Sequence, residues 1–420
     1  MNASSYDIII STIGAVCGLL FAYQLIYAVI ALFKKTPEFT AKRLCSYAIL
    51  IAARNEEKVI GNLIESILSQ DYPKELFKIF VVADNCSDKT AAAAKEHGAV
   101  VYERLNGEQK GKGYALNYLL KQIAIEHGLN SFDGYLVFDA DNLLDESYLT
   151  EINKVFSNGY KICTSYRNSK NYGANWISAA SGLWFIREAR HLNHARMLLN
   201  ISCLVSGTGY VMHRDIILRN GGWNFFSLTE DAEFSVDSII KGETIGYCES
   251  AIFYDEQPTR LSDTVNQRLR WCKGMCQVLM KNRRELAEGL FCSRAVTFFD
   301  TIITLAPGII FFSVCTLTAL LMSCKCGWNI GYFIPEIIEL TAPMLAGSYI
   351  MFYIMGLSVL ITEHKKIYCN SRRAFLLLFA FPLFMLMYAP ISVIALFAKV
   401  KWTPVRHTFA CTSAQMETLK

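Results

Sequence analysis

YLVFDADNLLD, Tyr135–Asp145, decides the fold. Tyr135–Phe138 has the composition of a short buried strand, and it empties directly into Asp139-Ala140-Asp141. Two carboxylates at i and i+2, where an apolar strand gives way to a loop, sit at the C-terminal edge of a sheet. That edge is where open α/β sheets bind ligands. Neither carboxylate is buried alone without a large desolvation cost. A hard, oxygen-seeking cation neutralises such a pair, and Mg²⁺ or Mn²⁺ shared with substrate phosphates is the usual partner. The bland alternative is a strand end with two solvated aspartates, and the surrounding chain has to choose.

Upstream, the same pattern recurs. Ser46–Ala53 (SYAILIAA) reads as a buried strand that leads into Arg54-Asn55-Glu56-Glu57. A helix with apolar positions at Val59, Ile60, Leu63, Ile64, Ile67 and Leu68 follows, and Asp71-Tyr72-Pro73 ends it. Phe77–Ala83 is a second buried strand running into Asp84-Asn85-Cys86-Ser87-Asp88, before the Ala-rich helix Lys89–His97. Ala99–Glu103 is a third strand, and Lys110-Gly111-Lys112-Gly113 opens the helix Tyr114–His127. This alternation predicts a doubly wound, mostly parallel sheet. Its polar motifs all fall at strand C-termini or helix N-termini, on one rim, which suits a nucleotide diphosphate. Neither GxGxxG nor GxxxxGK[ST] occurs, so neither a dinucleotide fold nor a P-loop is indicated. Taken singly, each motif also reads as a turn, an N-cap or a solvated loop.

Downstream, Ile162–Tyr166 reads as a strand and residues 176–199 as an amphipathic helix. Leu204–Arg214 reads as a strand interrupted by Gly207 and Gly209, and glycine inside a strand marks close approach of a ligand or another backbone. Leu228-Thr229-Glu230-Asp231 leads into a helix over Ala232–Lys241; an acid there is normally a cap. Residues 243–254 give two short strands. Residues 259–290 give one or two helices carrying Gln267-Arg268-Leu269-Arg270-Trp271. The basic and apolar residues of that segment interleave as in a helix lying on a membrane surface.

The chain has 420 residues, 53% hydrophobic and 19% charged, with mean hydropathy +0.26 and net charge +4. The apolar excess is uneven. It lies over residues 8–33 and in three later runs, about 297–323, 336–362 and 374–399. The first is long enough to cross a bilayer. Lys34, Lys35, Lys42 and Arg43 follow it, which places the following domain in the cytoplasm; a cleaved signal peptide is the alternative. Three full crossings after an inside domain would leave the basic tail outside. One run is therefore interfacial, re-entrant or split, and the Pro-interrupted 374–399 run is the candidate. The modest charge indicates no nucleic-acid partner. The 14 cysteines show no zinc-ligand spacing and fit a reducing compartment. These features divide the chain into residues 1–45 (membrane helix and linker), 46–255 (cytoplasmic α/β domain), 256–296 (interfacial helices), 297–400 (membrane or re-entrant segments) and 401–420 (basic tail).

Asp84, Asp139-Ala140-Asp141, Thr229-Glu230-Asp231 and Gln267-Arg268-Leu269-Arg270-Trp271, in this order between membrane segments, resemble the membrane-integrated glycosyltransferases of family two. Cellulose, hyaluronan, chitin and poly-N-acetylglucosamine synthases belong to that group. The resemblance covers roughly residues 46–300. It implies an α/β, GT-A-like mixed sheet inserted between transmembrane helices. It implies a UDP-sugar donor, with Asp84, Arg54 and Glu56 at the nucleoside and Lys112 at the phosphates. Asp139 would contact the nucleotide, and Asp141 would hold Mg²⁺ or Mn²⁺ with it. Asp231 would be the general base, and inversion would make a β-linkage. Gln267, Arg270 and Trp271, with Glu230, would line the acceptor end and clamp the diphosphate, and Ser206-Gly207-Thr208-Gly209 would form the acceptor-side wall. Trp402, Thr403 and Arg406 resemble a closing segment. The implied acceptor is a growing polysaccharide at the membrane, with an accessory export subunit; single transfer to a lipid-linked acceptor stays open. The chain departs from the polymer synthases in having fewer apolar runs. Another class, a membrane-bound nucleotide-sugar sensor without turnover, requires that Asp231 have no catalytic role.

Overall fold

The computed structural model describes residues 3–401, 409–412, 415–416 and 418; Trp402, Thr403 and Arg406 lie outside them. Helix α1 (Ala3–Phe33) precedes an eight-stranded sheet. Its strands are β1 (Tyr47–Ala53), β2 (Phe77–Asp84), β3 (Val100–Arg104), β4 (Gly134–Asp139), β5 (Leu143–Leu144), β6 (Ile162–Ser169), β7 (Tyr210–His213) and β8 (Ile245–Asp255). The spatial order is β3-β2-β1-β4-β7-β6-β8-β5. The β3-β2-β1-β4 half is parallel, joined by α2 (Ile60–Leu68), α3 (Thr90–Glu96) and α4 (Lys112–Glu126). Its strands are nearly continuous apolar runs because helices cover them.

Register places the site. Ala53 pairs with Ala83, Ala52 with Asp139, and Asp84 with Arg104. The strands therefore end level, and Arg54, Asp84 and Asp139 leave the same edge. The second half is mixed rather than mostly parallel: β7 runs antiparallel to both β4 and β6, and β8 runs parallel to β6. Because β7 runs against β4, the loop entering β7 meets the end of β4. The segment expected as one strand from Leu204 is a strand only over Tyr210–His213. Gly207 (φ +79°) and Gly209 (φ +64°) turn the chain before it. The two short strands expected over 243–254 are one strand, β8 (Ile245–Asp255).

After α5 (Tyr148–Phe156), the helix expected over 176–199 is α6 (Trp176–Arg187), a π-helical stretch (Glu188–Asn193) and α7 (His194–Leu198). Helices α8 (Arg214–Arg219) and α9 (Glu230–Ile240) follow, then α10 (Leu261–Lys281), α11 (Arg283–Gly289) and α12 (Ala295–Leu305). The run expected over 297–323 breaks before Pro307. Helix α12 is short, and α13 (Pro307–Lys325) restarts with proline in its first turn, where its missing N–H costs no bond. Next come α14 (Ile330–Glu363), α15 (Ser371–Leu378), α16 (Phe381–Leu386) and α17 (Tyr388–Phe397). Helices α1, α13 and α14 are each long and apolar enough to cross a membrane. The last apolar run is broken, with a 43° bend between Ser371–Leu378 and Phe381–Phe397.

Buried polar ties fasten the α/β domain to these helices. Arg196 donates to Asp300 (Nε···Oδ2 2.7 Å), and Tyr23 of α1 donates to the same carboxylate (2.7 Å). Arg190 spans Glu249 of β8 and Glu363 at the end of α14, both at 3.2 Å. All 14 cysteines are free thiols, six of them buried.

Candidate active site

The sheet edge opens into a cavity of 270 Å³. It is lined by Arg54, Glu56, Asp84, Lys112, Asp139, Asp141, Gly207, Glu230, Asp231, Gln267, Arg270 and Trp271. Thus the site residues singled out above face one space, except Thr208, Gly209, which packs against the Phe253 ring instead, and the tail residues outside the described chain.

Each wall has a local cause. Asp84 ends β2 and is buried, paired with Arg104 at the end of β3; Asn85 donates to it at 2.9 Å. Burial raises the Asp84 pKa against the pull of Arg104 and Arg54. Asn85 itself takes the left-handed conformation (φ +53°), which asparagine tolerates, and its side chain accepts from Asn106 N–H at 2.8 Å. Lys112 begins α4 behind Gly111 (φ +127°). Its ammonium pairs with Asp139 and donates to the Gly207 carbonyl at 2.7 Å, so it stitches β4 to the β7 entry loop.

Thr208 is buried behind this wall rather than in it. Its Oγ1 accepts from Asp139 N–H at 3.0 Å and donates to Asn142. It therefore supports the Asp139 backbone and has no face toward an acceptor. Asp141 accepts from Glu256 N–H at 2.9 Å and Asn142 Nδ2 at 3.3 Å, while Lys170 donates to its carbonyl at 2.7 Å.

Asp231 is the second residue of α9, and a β-carbon at Gly207 would lie 3.6 Å from its Oδ2. That is ordinary van der Waals distance, so glycine at 207 is called for by its positive φ rather than by lack of space. Glu230 and Asp231 front the cavity yet lie deep in the molecule, and burial raises both pKa values; each feels Lys112 and Arg270 as compensating cations. On α10, Gln267, Arg270 and Trp271 fall at i, i+3 and i+4, hence on one face. Arg270 donates to the Leu228 carbonyl at 3.0 Å, holding the loop before α9. Trp271 stacks on Trp184 of α6 (6.1 Å, 17°).

Several lining residues escaped the sequence reading: Arg167, Trp184, Phe185, Glu188, Asp255 and Glu256. Arg167 donates to Asp255 (2.7 Å) and to the Ser206 carbonyl (2.9 Å). Asp255 ends β8 and Arg167 lies two residues before the end of β6, and their only signal was again a charged residue close to a strand terminus.

Carboxylates outnumber cations on this lining. Among the described residues, no cluster of three or more metal-ligating side chains occurs. Asp139 and Asp141 at one strand end fit a divalent cation that takes few protein ligands and completes its shell with water and phosphate.

Residues 45–274 match the family described as Glycosyltransferase like family 2. Among curated proteins, the chain is 27% identical over 268 residues to the probable glycosyltransferase YdaM of Bacillus subtilis, covering 57% of each chain. It is 25% identical over 232 residues to the beta-monoglucosyldiacylglycerol synthase of Synechocystis, covering 54% of this chain and 47% of that one. It is 23% identical over 252 residues to the poly-beta-1,6-N-acetyl-D-glucosamine synthase of Staphylococcus aureus, covering 59% of each. The matches thus span less than two thirds of these relatives' own lengths. In structure, the chain resembles the mannosyltransferase PcManGT from Pyrobaculum calidifontis, solved with GDP-Man and Mn²⁺: TM-score 0.57, 15% identity, covering 84% of this chain and 96% of that one. That likeness shows a GT-A-like fold for the mixed sheet, with apolar helices flanking it. With more than half of its length matched, the chain belongs to the glycosyltransferase like family 2.

Proposed function

We propose that the protein is an inverting glycosyltransferase of the cytoplasmic membrane face. It transfers a sugar, with glucose or N-acetylglucosamine favoured, from a UDP-sugar to an acceptor hydroxyl. The observation that carries this reading is the convergence of Asp84, Asp139, Asp141, Asp231 and Trp271, from four separate stretches of chain, on one cavity. Asp84, Arg54 and Glu56 take the nucleoside, and Lys112 and Arg270 the diphosphate, where planar and point cations suit phosphate oxygens. Asp139 and Asp141 would hold a divalent cation, which would neutralise charge at the departing diphosphate.

Asp231 accepts the proton of the acceptor hydroxyl while that oxygen bonds to the anomeric carbon. The bond from that carbon to the diphosphate oxygen breaks on the opposite face, and UDP leaves with the electron pair. A single displacement inverts the anomeric centre, so an α-linked donor gives a β-linkage. The acceptor is a growing polysaccharide held against Trp271, with an export subunit completing its passage across the membrane. The second reading is single transfer to a lipid-linked acceptor. Helices α13 and α17 cross so tightly that a β-carbon at Gly308 would stand 2.5 Å from the Ser392 carbonyl oxygen, so any polymer path runs between other helices.

The test is a panel of radiolabelled UDP-sugars on membranes carrying the protein, with product length and solvent partitioning read out. Long water-soluble ladders support the polymer reading, single-sugar lipid products the second, and no transfer from any donor refutes both.

A further inference from the structure

We propose that Glu188 recognises the acceptor, accepting hydrogen bonds from the hydroxyls of a terminal sugar ring. The acceptor would then present a glycoside, and not the lone hydroxyl of a simple lipid. This rests on the glycosyltransferase reading above and deepens it.

Four observations place Glu188 in that role. Its side chain lines the catalytic cavity. It makes no hydrogen bond or ion pair among the described residues. The neighbouring cations are engaged elsewhere: Arg167 with Asp255, Arg196 with Asp300, and Arg187 with the Gln24 amide oxygen at 2.7 Å. The helix turns π-helical at Glu188, and such turns cost regular hydrogen bonding and concentrate at functional positions.

The surroundings specify the ligand chemistry. Trp184 precedes Glu188 by one helical turn, so both project from the same side of the helix. Trp184 stacks on Trp271, and Phe185 meets Trp271 edge to face at 6.0 Å. Opposite, Gln267 faces the cavity, also with no hydrogen bond among the described residues. An aromatic wall flanked by a carboxylate and a primary amide matches a sugar ring, which offers C–H faces to the aromatics and O–H donors around its rim. A bare lipid hydroxyl has one donor, already claimed by Asp231. Burial raises the Glu188 pKa, and the Asp231 carboxylate adds to it, which places the two groups in one electrostatic environment.

The experiment uses the full chain in lipid nanodiscs. Donor hydrolysis, read as UDP release from UDP-glucose and UDP-N-acetylglucosamine without acceptor, is measured apart from transfer. The acceptor probes are glucose and N-acetylglucosamine oligosaccharides and their alkyl glycosides, with dioleoylglycerol as the lone-hydroxyl arm. The variants are Glu188→Ala and Glu188→Gln, with thermal unfolding followed for each. The expected result is extension of a sugar-tipped probe whose KM rises at least about tenfold in Glu188→Ala and less in Glu188→Gln, with UDP release within about twofold of the parent. Unchanged acceptor KM in a folded Glu188→Ala protein overturns the proposal, as does an equal loss of UDP release. So does a parent protein that hydrolyses donor yet extends only dioleoylglycerol, or no probe at all. A parent protein that releases no UDP from any donor instead overturns the underlying glycosyltransferase reading.

Discussion

Gly274 of α10 and Thr229 at the start of α9 approach so closely that a β-carbon at 274 would stand 2.4 Å from Thr229 Oγ1 and 2.6 Å from its Cγ2. This contact sets how far the Asp231 end of α9 stands from the Gln267–Trp271 face of α10. Gly274→Ala must push the two helices apart, and overpacking of this kind costs about 1–3 kcal/mol. We expect a lower unfolding temperature and a loss of transfer larger than the loss of donor binding. Thr229→Ala removes two of the three clashing atoms and keeps only Cβ, 2.9 Å away, so the double variant should recover part of each. A double variant no better than Gly274→Ala alone would show that the spacing is not the cause.

Asp231→Asn should abolish transfer and leave UDP affinity within a few-fold. The amide keeps the shape and loses the proton acceptor. Calorimetric UDP binding beside turnover decides it, and near-normal turnover would remove Asp231 from the role of base.

The pH profile follows from burial. As the proposed base, Asp231 acts as the carboxylate, and burial raises its pKa. Activity is therefore full above the raised value and is lost as pH falls through it, at a higher pH than an exposed aspartate, near 3.9, would give. Burial, and then the charge on Asp231, push its neighbour Glu230 up to about 7. Glu230 is therefore protonated before Asp231 as pH falls and puts no charge beside it when Asp231 titrates. Glu230→Gln should leave the acid limb of kcat/KM in place. A limb moved to lower pH would mean that Glu230 is still charged when Asp231 takes its proton.

The sheet edge was legible because charged residues followed apolar runs at Ala53, Ala83 and Phe138. Thr208 shows where that logic stops. Its place between two glycines pointed to the cavity, but the side it faces depends on β7 running against β4, which strand composition does not encode. Its hydroxyl therefore meets Asp139 N–H and Asn142. Glu188 and Trp184 were hidden for a related reason: a helix rich in aromatics and arginines has no blank face to reveal which side fronts a cavity. We expect Thr208→Val to raise donor KM about fivefold through the loss of roughly 1 kcal/mol of hydrogen bonding at Asp139, with acceptor KM unchanged. A change in acceptor KM alone would return Thr208 to the acceptor wall.

Arg268 carries the last prediction. It shares α10 with Gln267 and Arg270 but points the other way, and it is 1% exposed. Its guanidinium rests 3.8 Å from the Phe384 ring centre, with Trp184 and Tyr388 at 5.2 and 5.1 Å, and both terminal nitrogens lack a hydrogen bond among the described residues. Cation–π attraction returns about 2 kcal/mol in a desolvated setting, while burying the charge costs several. The side chain's packing should therefore matter more than its charge. Arg268→Met, which keeps the stem and drops the charge, should unfold at the parent temperature or above. Arg268→Ala opens a void between α10 and α16 and should lose about 2–5 kcal/mol, by analogy with other large-to-small core changes. If the two variants lose equally, the charge is what holds α10 to the bent membrane segment, and the desolvation argument fails at this position.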